Sequence, residues 1–500
     1  MLSRSVRTMS NRTLAAQRTR AIYQHMSAST KTGTVPSHSG ADEAPVLFET
    51  VGQVKKYTLN RPRKLNSLDT SMLNLLRPYV EEWSQSKISR ILVGTGVGRA
   101  FCAGGDVASV VEAASNDDTR HYALDFFKRE FELDYMLAAV PQPYVAVMDG
   151  ITMGGGVGLS VNANFRIATE NTVFAMPETK IGYCPDVGAS FFLSRVDGEV
   201  GTYLALTGET ISGRDVFELG FATHFVPSRR IPALLERLSS LDRPVNDLID
   251  ATIEEASQER EAHEPPCSIV GAKRIALDTA FGHNKVEQIF DELEKIAEGH
   301  EDDSIRSWAA DTVKALELRS PTSLKVALQA LRRGKEMTLH QALQMELNIA
   351  TAFCSQASTD FATGVKAVLV EKIKERPQWS PPTLQEVGDD YIEGTFFKKF
   401  SPEDGTAPSI ALSADLQLEP SKTGSPMLYT LPTEDEIRQL VTGSHFSSGS
   451  TSLTEGELIQ KLEKLRRGKM GIREKVAEVV SRRCVAEADD SGVAYLKWKN

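Results

Sequence analysis

Residues 143–188 read PYVAVMDGITMGGGVGLSVNANFRIATENTVFAMPETKIGYCPDVG, and the spacing of glycine within them limits the chain more than any other feature. Residues 144–148 are a short valine-rich apolar run closed by Asp149-Gly150, the pattern of a buried strand. Four glycines follow at positions 154, 155, 156 and 158, where the first turn of a helix is expected. In a helix interior each costs roughly 0.5–1 kcal/mol relative to alanine. That cost is tolerable where bare backbone must approach another group closely. Uncovered N–H groups at a helix start, beside the positive end of the dipole, suit negative charge on a ligand oxygen. The run does not match the dinucleotide fingerprint GxGxxG, because Leu159 follows Gly158. Residues 165–168 read as the next strand. Two carboxylates come after it, Glu178 in MPE and Asp186 in PDVG, each beside a proline. Oxyanion donors followed by paired carboxylates point to an enzyme acting on a carbonyl.

A second glycine turn lies upstream. The strand ILVG at 91–94 leads to Phe101-Cys-Ala-Gly-Gly-Asp106, where Gly104-Gly105 offers another backbone donor. FCAGGD followed downstream by DGITMGGGVGLS resembles the crotonase (enoyl-CoA hydratase/isomerase) superfamily. The resemblance implies an α/β fold, with a crotonase-like ββα spiral core and a C-terminal helical region. It also implies an oxyanion hole built from the N–H groups of Gly105 and Gly155, which hold the thioester oxygen of an acyl-CoA substrate. Such donors contribute a few kcal/mol of barrier lowering each. Gly104 and Gly154 adjoin them as substrate-binding residues, and Glu130 in FFKREFELDYML matches a glutamate that lines the substrate site.

The superfamily hosts many reactions, so the site must select one. Hydratases carry a glutamate where this chain has Gly158, which argues against hydration or isomerisation of an enoyl-CoA. The chain keeps the second carboxylate, Glu178, and adds Asp186. With ITMGGGVGLS and AMPETKIGYCPDVG, that combination looks like the 3-hydroxyisobutyryl-CoA hydrolase family of valine breakdown. In such a hydrolase Glu178 serves as general base to water or as direct nucleophile. Asp186 holds the substrate's 3-hydroxyl or assists proton transfer to the departing thiolate. The resemblance implies no cofactor, since CoA is part of the substrate, and no metal.

Around this core the chain divides by composition. Residues 1–40 are rich in Arg, Ser and Thr with no acid before Asp42, which fits a mitochondrial transit peptide and hence a matrix location. The expected divisions are a catalytic core at 45–230, a helical C-terminal part at 231–400, a Ser/Pro/Thr/Gly-rich linker at 401–428 and a helical basic extension at 429–500. No apolar run approaches the ~18 residues that a membrane-spanning helix requires. The net charge of −10 argues against broad nucleic-acid binding. Five cysteines show no metal-ligand spacing and read as free thiols, with Cys102 and Cys184 as packing residues. His224 reads as structural. In the extension, residues 461–475 carry a net +5. YTLPTEDEI and RRGKMGI there resemble the C-terminal extension of fungal members of the hydrolase family. Relatives of that branch are components of the mitochondrial small ribosomal subunit, which makes that subunit a candidate partner. A homo-oligomer is left open.

Overall fold

The computed structural model describes residues 44–86, 91–411, 427–449, 452–490 and 492–499. The expected transit peptide, and residues 412–426 of the expected linker, lie outside the described residues.

Val46–Val51 (β1) and Val54–Leu59 (β2) pair as an antiparallel hairpin. Each of the next three long strands is followed at once by a short one. Ile91–Gly96 (β3) leads to Ala100–Cys102 (β4), Tyr144–Met148 (β5) to Ile151–Met153 (β6), and Phe165–Ala168 (β7) to Val173–Ala175 (β8). Ile211–Ser212 (β9) and His224–Phe225 (β10) complete the core sheets. The long strands make a six-stranded sheet, order β1-β2-β3-β5-β7-β10, parallel from β2 onwards. The short strands make a second sheet, order β4-β6-β8-β9. β5 and β7 are buried along their whole length, as continuous apolar runs must be when both faces of a parallel sheet are covered. Strand, strand, helix therefore recurs along the chain, which is the expected α/β spiral.

Helices follow their local signals. Thr70–Gln85 is capped by Asp69, whose carboxylate accepts from the Met72 N–H at 2.9 Å. Ser320 caps Pro321–Gly334 and Thr433 caps Glu434–Val441 in the same way. Arg120–Ala139 departs from simple amphipathicity: Glu130 to Leu137 are all buried, two further acids (Glu132 and Asp134) among them. Glu132 is matched by Arg77. Asp134 has no ion-pair partner among the described residues.

The chain beyond 400 differs from the sequence expectation in two ways. Residues 401–411 of the expected linker pack on the core: Ile410 is buried, its N–H donates to Gln344 Oε1, and the Ala411 N–H donates to Glu132 Oε1, both at 2.9 Å. The extension is not wholly helical either. It ends in an antiparallel hairpin, Cys484–Ala488 (β11) with Ala494–Trp498 (β12), after the helices Glu455–Leu465 and Ile472–Arg483.

Nor does the extension's net positive charge survive as a uniformly basic face. Lys475 pairs with Asp197 at 2.7 Å, Arg466 with Glu436, and Arg473 with Glu463 at 2.9 Å. Lys469 is buried, with its Nζ 3.1 Å from His224 Nε2 and 3.2 Å from Glu254 Oε2. Asp197, His224 and Glu254 sit far away in sequence, so a charge count along the extension could not reveal the pairing of Lys475 and Lys469. His224 is structural, as expected. Against a burial that raises it, hydrogen bonding from His224 and the Lys469 charge hold the Glu254 carboxyl at about 2. Its contribution is therefore present above the ordinary carboxyl value and is lost as pH falls towards 2. Lys469→Met removes one partner of this buried group, a loss worth roughly 3–5 kcal/mol. Trypsin should then release the extension from the folded core faster than from wild type at pH 7. Equal release rates in the two proteins would rule out the latch.

Candidate functional site

The second sheet lines up the glycines. β4, β6 and β8 are parallel neighbours, with Cys102 opposite Thr152 and Met153 opposite Ala175. Just past their C-terminal ends come Gly104-Gly105, Gly154-Gly155 and Glu178 respectively. Sequence positions far apart are thus delivered side by side at the carboxyl ends of parallel strands.

Distances confirm the juxtaposition. A Cβ built on Gly154 would lie 3.0 Å from Glu178 Oε1 and 3.3 Å from the Gly104 Cα. One built on Gly155 would lie 2.3 Å from Glu130 Oε1, and one on Gly105 would lie 3.9 Å from that same oxygen. Both candidate oxyanion glycines therefore face a single carboxylate-lined space. Gly154 has φ 48 and ψ −120, a backbone that a side chain would strain.

The two N–H groups are open for different reasons. Gly155 is the first residue of the helix Gly155–Val161, so its N–H has no intrahelical acceptor. Gly105 bridges Leu68: the Leu68 N–H donates to Gly104 O and the Asp106 N–H to Leu68 O, both at 2.8 Å. Alternation along that extended stretch turns the Gly105 N–H the other way. Among the described residues neither group donates to a protein acceptor. The turn at 60–67 acts as the brace for this loop. Buried Asn66 donates from Nδ2 to Ala100 O at 2.8 Å, and the Ala103 N–H donates to Leu65 O at 3.0 Å. Arg63 and Lys64 are exposed on it.

Five acids are buried at or behind this space: Glu130, Asp134, Glu178, Asp186 and Glu346. No lysine or arginine forms an ion pair with any of them among the described residues. Burial pushes Glu178 up to about 8, with Glu130 adding to the rise while Glu178's own N–H and Lys180 oppose it. Burial likewise raises Glu130 to about 8. Asp186 is well above the ordinary carboxyl value, first by burial and then by Glu130, Glu178 and Glu346, with the Tyr183 hydroxyl opposing. Charges this close cannot all ionise together, so the group shares protons among its members and titrates in coupled steps. A set of acids poised between protonated and ionised near neutral pH can both accept and supply a proton.

Sequence reasoning missed Asp134 and Glu346. Asp134 lies four residues after Glu130 on the same helix, a spacing that puts both on one face. Glu346 is a lone acid within the largely apolar helix Leu339–Cys354. Asp134 also explains Gly158. A Cβ there would lie 2.5 Å from Asp134 Oδ2 and 2.6 Å from the Val187 Cβ, so the position has no room for a glutamate. Cys102 and Cys184 are buried, and burial pushes the Cys102 thiol up to about 12, which suits packing rather than nucleophilic attack. One trio of potential metal-ligating atoms converges among the described residues, Asp215, Glu218 and Cys267, but Glu218 is already engaged by Arg260. None of the three belongs to the glycine and carboxylate site. No helix among the described residues is long and apolar enough to cross a membrane.

Comparisons with known proteins agree with this geometry. The family model for enoyl-CoA hydratase/isomerase matches residues 54–396. The chain is 38% identical over 475 residues to the small ribosomal subunit protein mS47 of Neurospora crassa, covering 92% of this chain and 89% of that one. It is 39% identical over 354 residues to the mitochondrial 3-hydroxyisobutyryl-CoA hydrolase of Gallus gallus, covering 71% of this chain and 89% of that one. The crystal structure of a carnitinyl-CoA dehydratase from Mycobacterium thermoresistibile superposes with a TM-score of 0.64 at 33% identity, covering 74% of this chain and all of that one. With the glycine loops, the spiral of paired strands and these matches in hand, the chain belongs to the enoyl-CoA hydratase/isomerase family.

Proposed function

We propose that this protein hydrolyses the thioester of 3-hydroxyisobutyryl-CoA to 3-hydroxyisobutyrate and CoA, a step of valine catabolism, in the mitochondrial matrix. The observation that carries the reading is the convergence of Gly105, Gly155 and Glu178 at the ends of three neighbouring parallel strands, with Asp134 filling the space that a hydratase acid at 158 would need. The thioester oxygen sits between the two N–H groups, which stabilise it as negative charge develops. Glu178, ionised, takes a proton from water or attacks the carbonyl carbon itself. The new C–O bond forms as the C–S bond breaks, and Asp186 either holds the substrate's 3-hydroxyl or supplies the proton with which the thiolate leaves. No cofactor enters the scheme. Direct attack leaves a mixed anhydride that water then cleaves to the free acid and Glu178; in a single turnover in ¹⁸O-labelled water, cleavage at the Glu178 carbonyl carbon places the label in that carboxylate, an outcome the water route cannot give. Thiol release on a panel of acyl-CoAs tests the assignment. Turnover should be highest with the 3-hydroxyisobutyryl thioester, and crotonyl-CoA should show no loss of enoyl absorbance. Fast hydration with no thiol release would reject it.

A second reading is favoured by a separate observation. The match to the Neurospora ribosomal protein takes in 92% of the chain, whereas that to the Gallus hydrolase takes in 71%. The extension also presents Phe446 at 90% exposure, an apolar ring that meets the His445 ring at 4.2 Å and otherwise faces outward. We propose that residues 429–500 attach the protein to the mitochondrial small ribosomal subunit, a role compatible with catalysis. Deleting them should abolish co-sedimentation with that subunit and Phe446→Ala should weaken it. Unchanged sedimentation of the deletion would reject the attachment.

A further inference from the structure

We infer that Glu346 is a positioning residue for this reaction, acting through Asp186. The inference rests on the thioesterase reading of the site. Asp186 is followed by two successive left-handed residues, Val187 at φ 56 and Gly188 at φ 86. Left-handed backbone is costly for a β-branched side chain, and such strain persists only where the surroundings hold it. Val187 is buried, its side chain packed where Gly158 leaves room.

The clamp comes from a distant helix. Glu346 is 1% exposed, and its two oxygens take three hydrogen bonds from the residues immediately after the strained turn. The Gly188 N–H donates to Oε2 at 2.6 Å. The Ser190 N–H donates to Oε1 at 2.9 Å, and the Ser190 hydroxyl to the same oxygen at 2.5 Å. The Ala189 N–H closes the turn on Asp186 O at 2.9 Å. Both oxygens of the carboxylate are thus spent on backbone and hydroxyl donors rather than on a cation, and the turn that aims Asp186 is tied to the helix Leu339–Cys354. The hydrogen bonds of the Glu346 carboxylate go to Gly188 and Ser190, so its action on the reaction passes through the loop it holds.

Chemistry distinguishes this role from simple support. In Glu346→Gln one oxygen becomes an NH₂ that faces an N–H donor, so one arm of the clamp is lost while the packing volume is kept. The expected result is a kcat for 3-hydroxyisobutyryl-CoA lower by roughly 10- to 100-fold, as small misplacements of a reacting group cost, with KM within about twofold. Ser190→Ala, which deletes only the hydroxyl bond, should lower kcat in the same direction by a smaller factor and guards against a misfolded Gln variant. The decisive measurement is the double variant. If Glu346 acts through Asp186, Glu346→Gln made on top of Asp186→Asn costs no more than about twofold further, because residues in one unit are non-additive. Losses that multiply, or an effect confined to KM, overturn the inference while wild-type thiol release leaves the thioesterase reading standing. A wild type that releases no thiol from any acyl-CoA sinks both.

Discussion

Glu178→Gln is expected to slow thiol release at pH 8 by roughly 10²–10⁴-fold while making the folded protein more stable. Both effects come from one buried carboxyl. As base or nucleophile it must be ionised, and the amide cannot replace it in either role. As a buried acid held at about 8 it is also a burden on the fold. Below the ordinary carboxyl value both folded and unfolded chains hold the proton and there is no penalty. Between there and pH 8 the unfolded chain ionises first, so wild-type stability falls as pH rises, by about 1.4 kcal/mol per unit for an isolated group. Proton sharing with Glu130 reduces this to a few kcal/mol at most. The variant lacks the penalty, and its melting temperature should exceed that of wild type by a margin that widens from pH 5 to 8 and then levels off. The same ionisation sets the acid limb of kcat/KM, which should rise with pH up to about 8 in the wild type. Near wild-type turnover in Glu178→Gln would remove the residue from the mechanism, and a melting temperature below wild type at pH 8 would contradict the buried-acid account.

Gly156→Ala should fail for a different reason. A Cβ at this position would lie 2.1 Å from the Cys102 carbonyl oxygen and 2.9 Å from both its carbonyl carbon and its Cβ. The obstacle is backbone of β4, which cannot rotate aside as a flexible side chain does. Gly156 is where the helix carrying one oxyanion donor lies against the strand leading to the other. A single methyl therefore drives apart the two loops that bear Gly105 and Gly155. Overpacking of this kind costs roughly 1–3 kcal/mol, and a shift of about 1 Å in the donors should lower thiol release by ~10²-fold. Gly299→Ala provides the comparison, because nothing lies within 4 Å of its Cβ and it is the last residue of its helix, Val286–Gly299. It should match wild type in both melting and turnover. A Gly156→Ala protein that also matched would mean the loops are not held by this contact.

Particular residues mark how far the primary structure could be read. The strands at 144–148 and 165–168, the Asp69, Ser320 and Thr433 caps and the two glycine loops rest on local rules, namely apolar runs, short polar side chains before helices, and residues that alone tolerate close approach. The family resemblance, not those rules, told against a hydratase, because hydratases carry a glutamate where this chain has Gly158. Glu130 was assigned through its surrounding motif, since periodicity alone would have left it a surface charge. Asp134 and Glu346 went unassigned, because an acid within a helix looks the same in sequence whether it meets water or three other carboxyls. Lys469 and Lys475 entered the sequence reading only as part of a net charge, for the same reason.

The amino-acid sequence by itself thus determined the strands and helices of the core around the glycine loops, where backbone is left bare, and that Glu178 and Asp186 follow the bare segments, but not the hairpin that closes the extension. Only the tertiary structure decided that β4, β6 and β8 lie side by side, that five acids are buried at or behind one site with no ion-pairing cation among the described residues, and that Lys475 is consumed by Asp197 and Lys469 by Glu254 and His224. The division has a physical cause. Backbone preference and hydrophobic period act over a few residues and leave their pattern in the chain, whereas burial and charge pairing depend on which distant groups folding brings within a few ångströms.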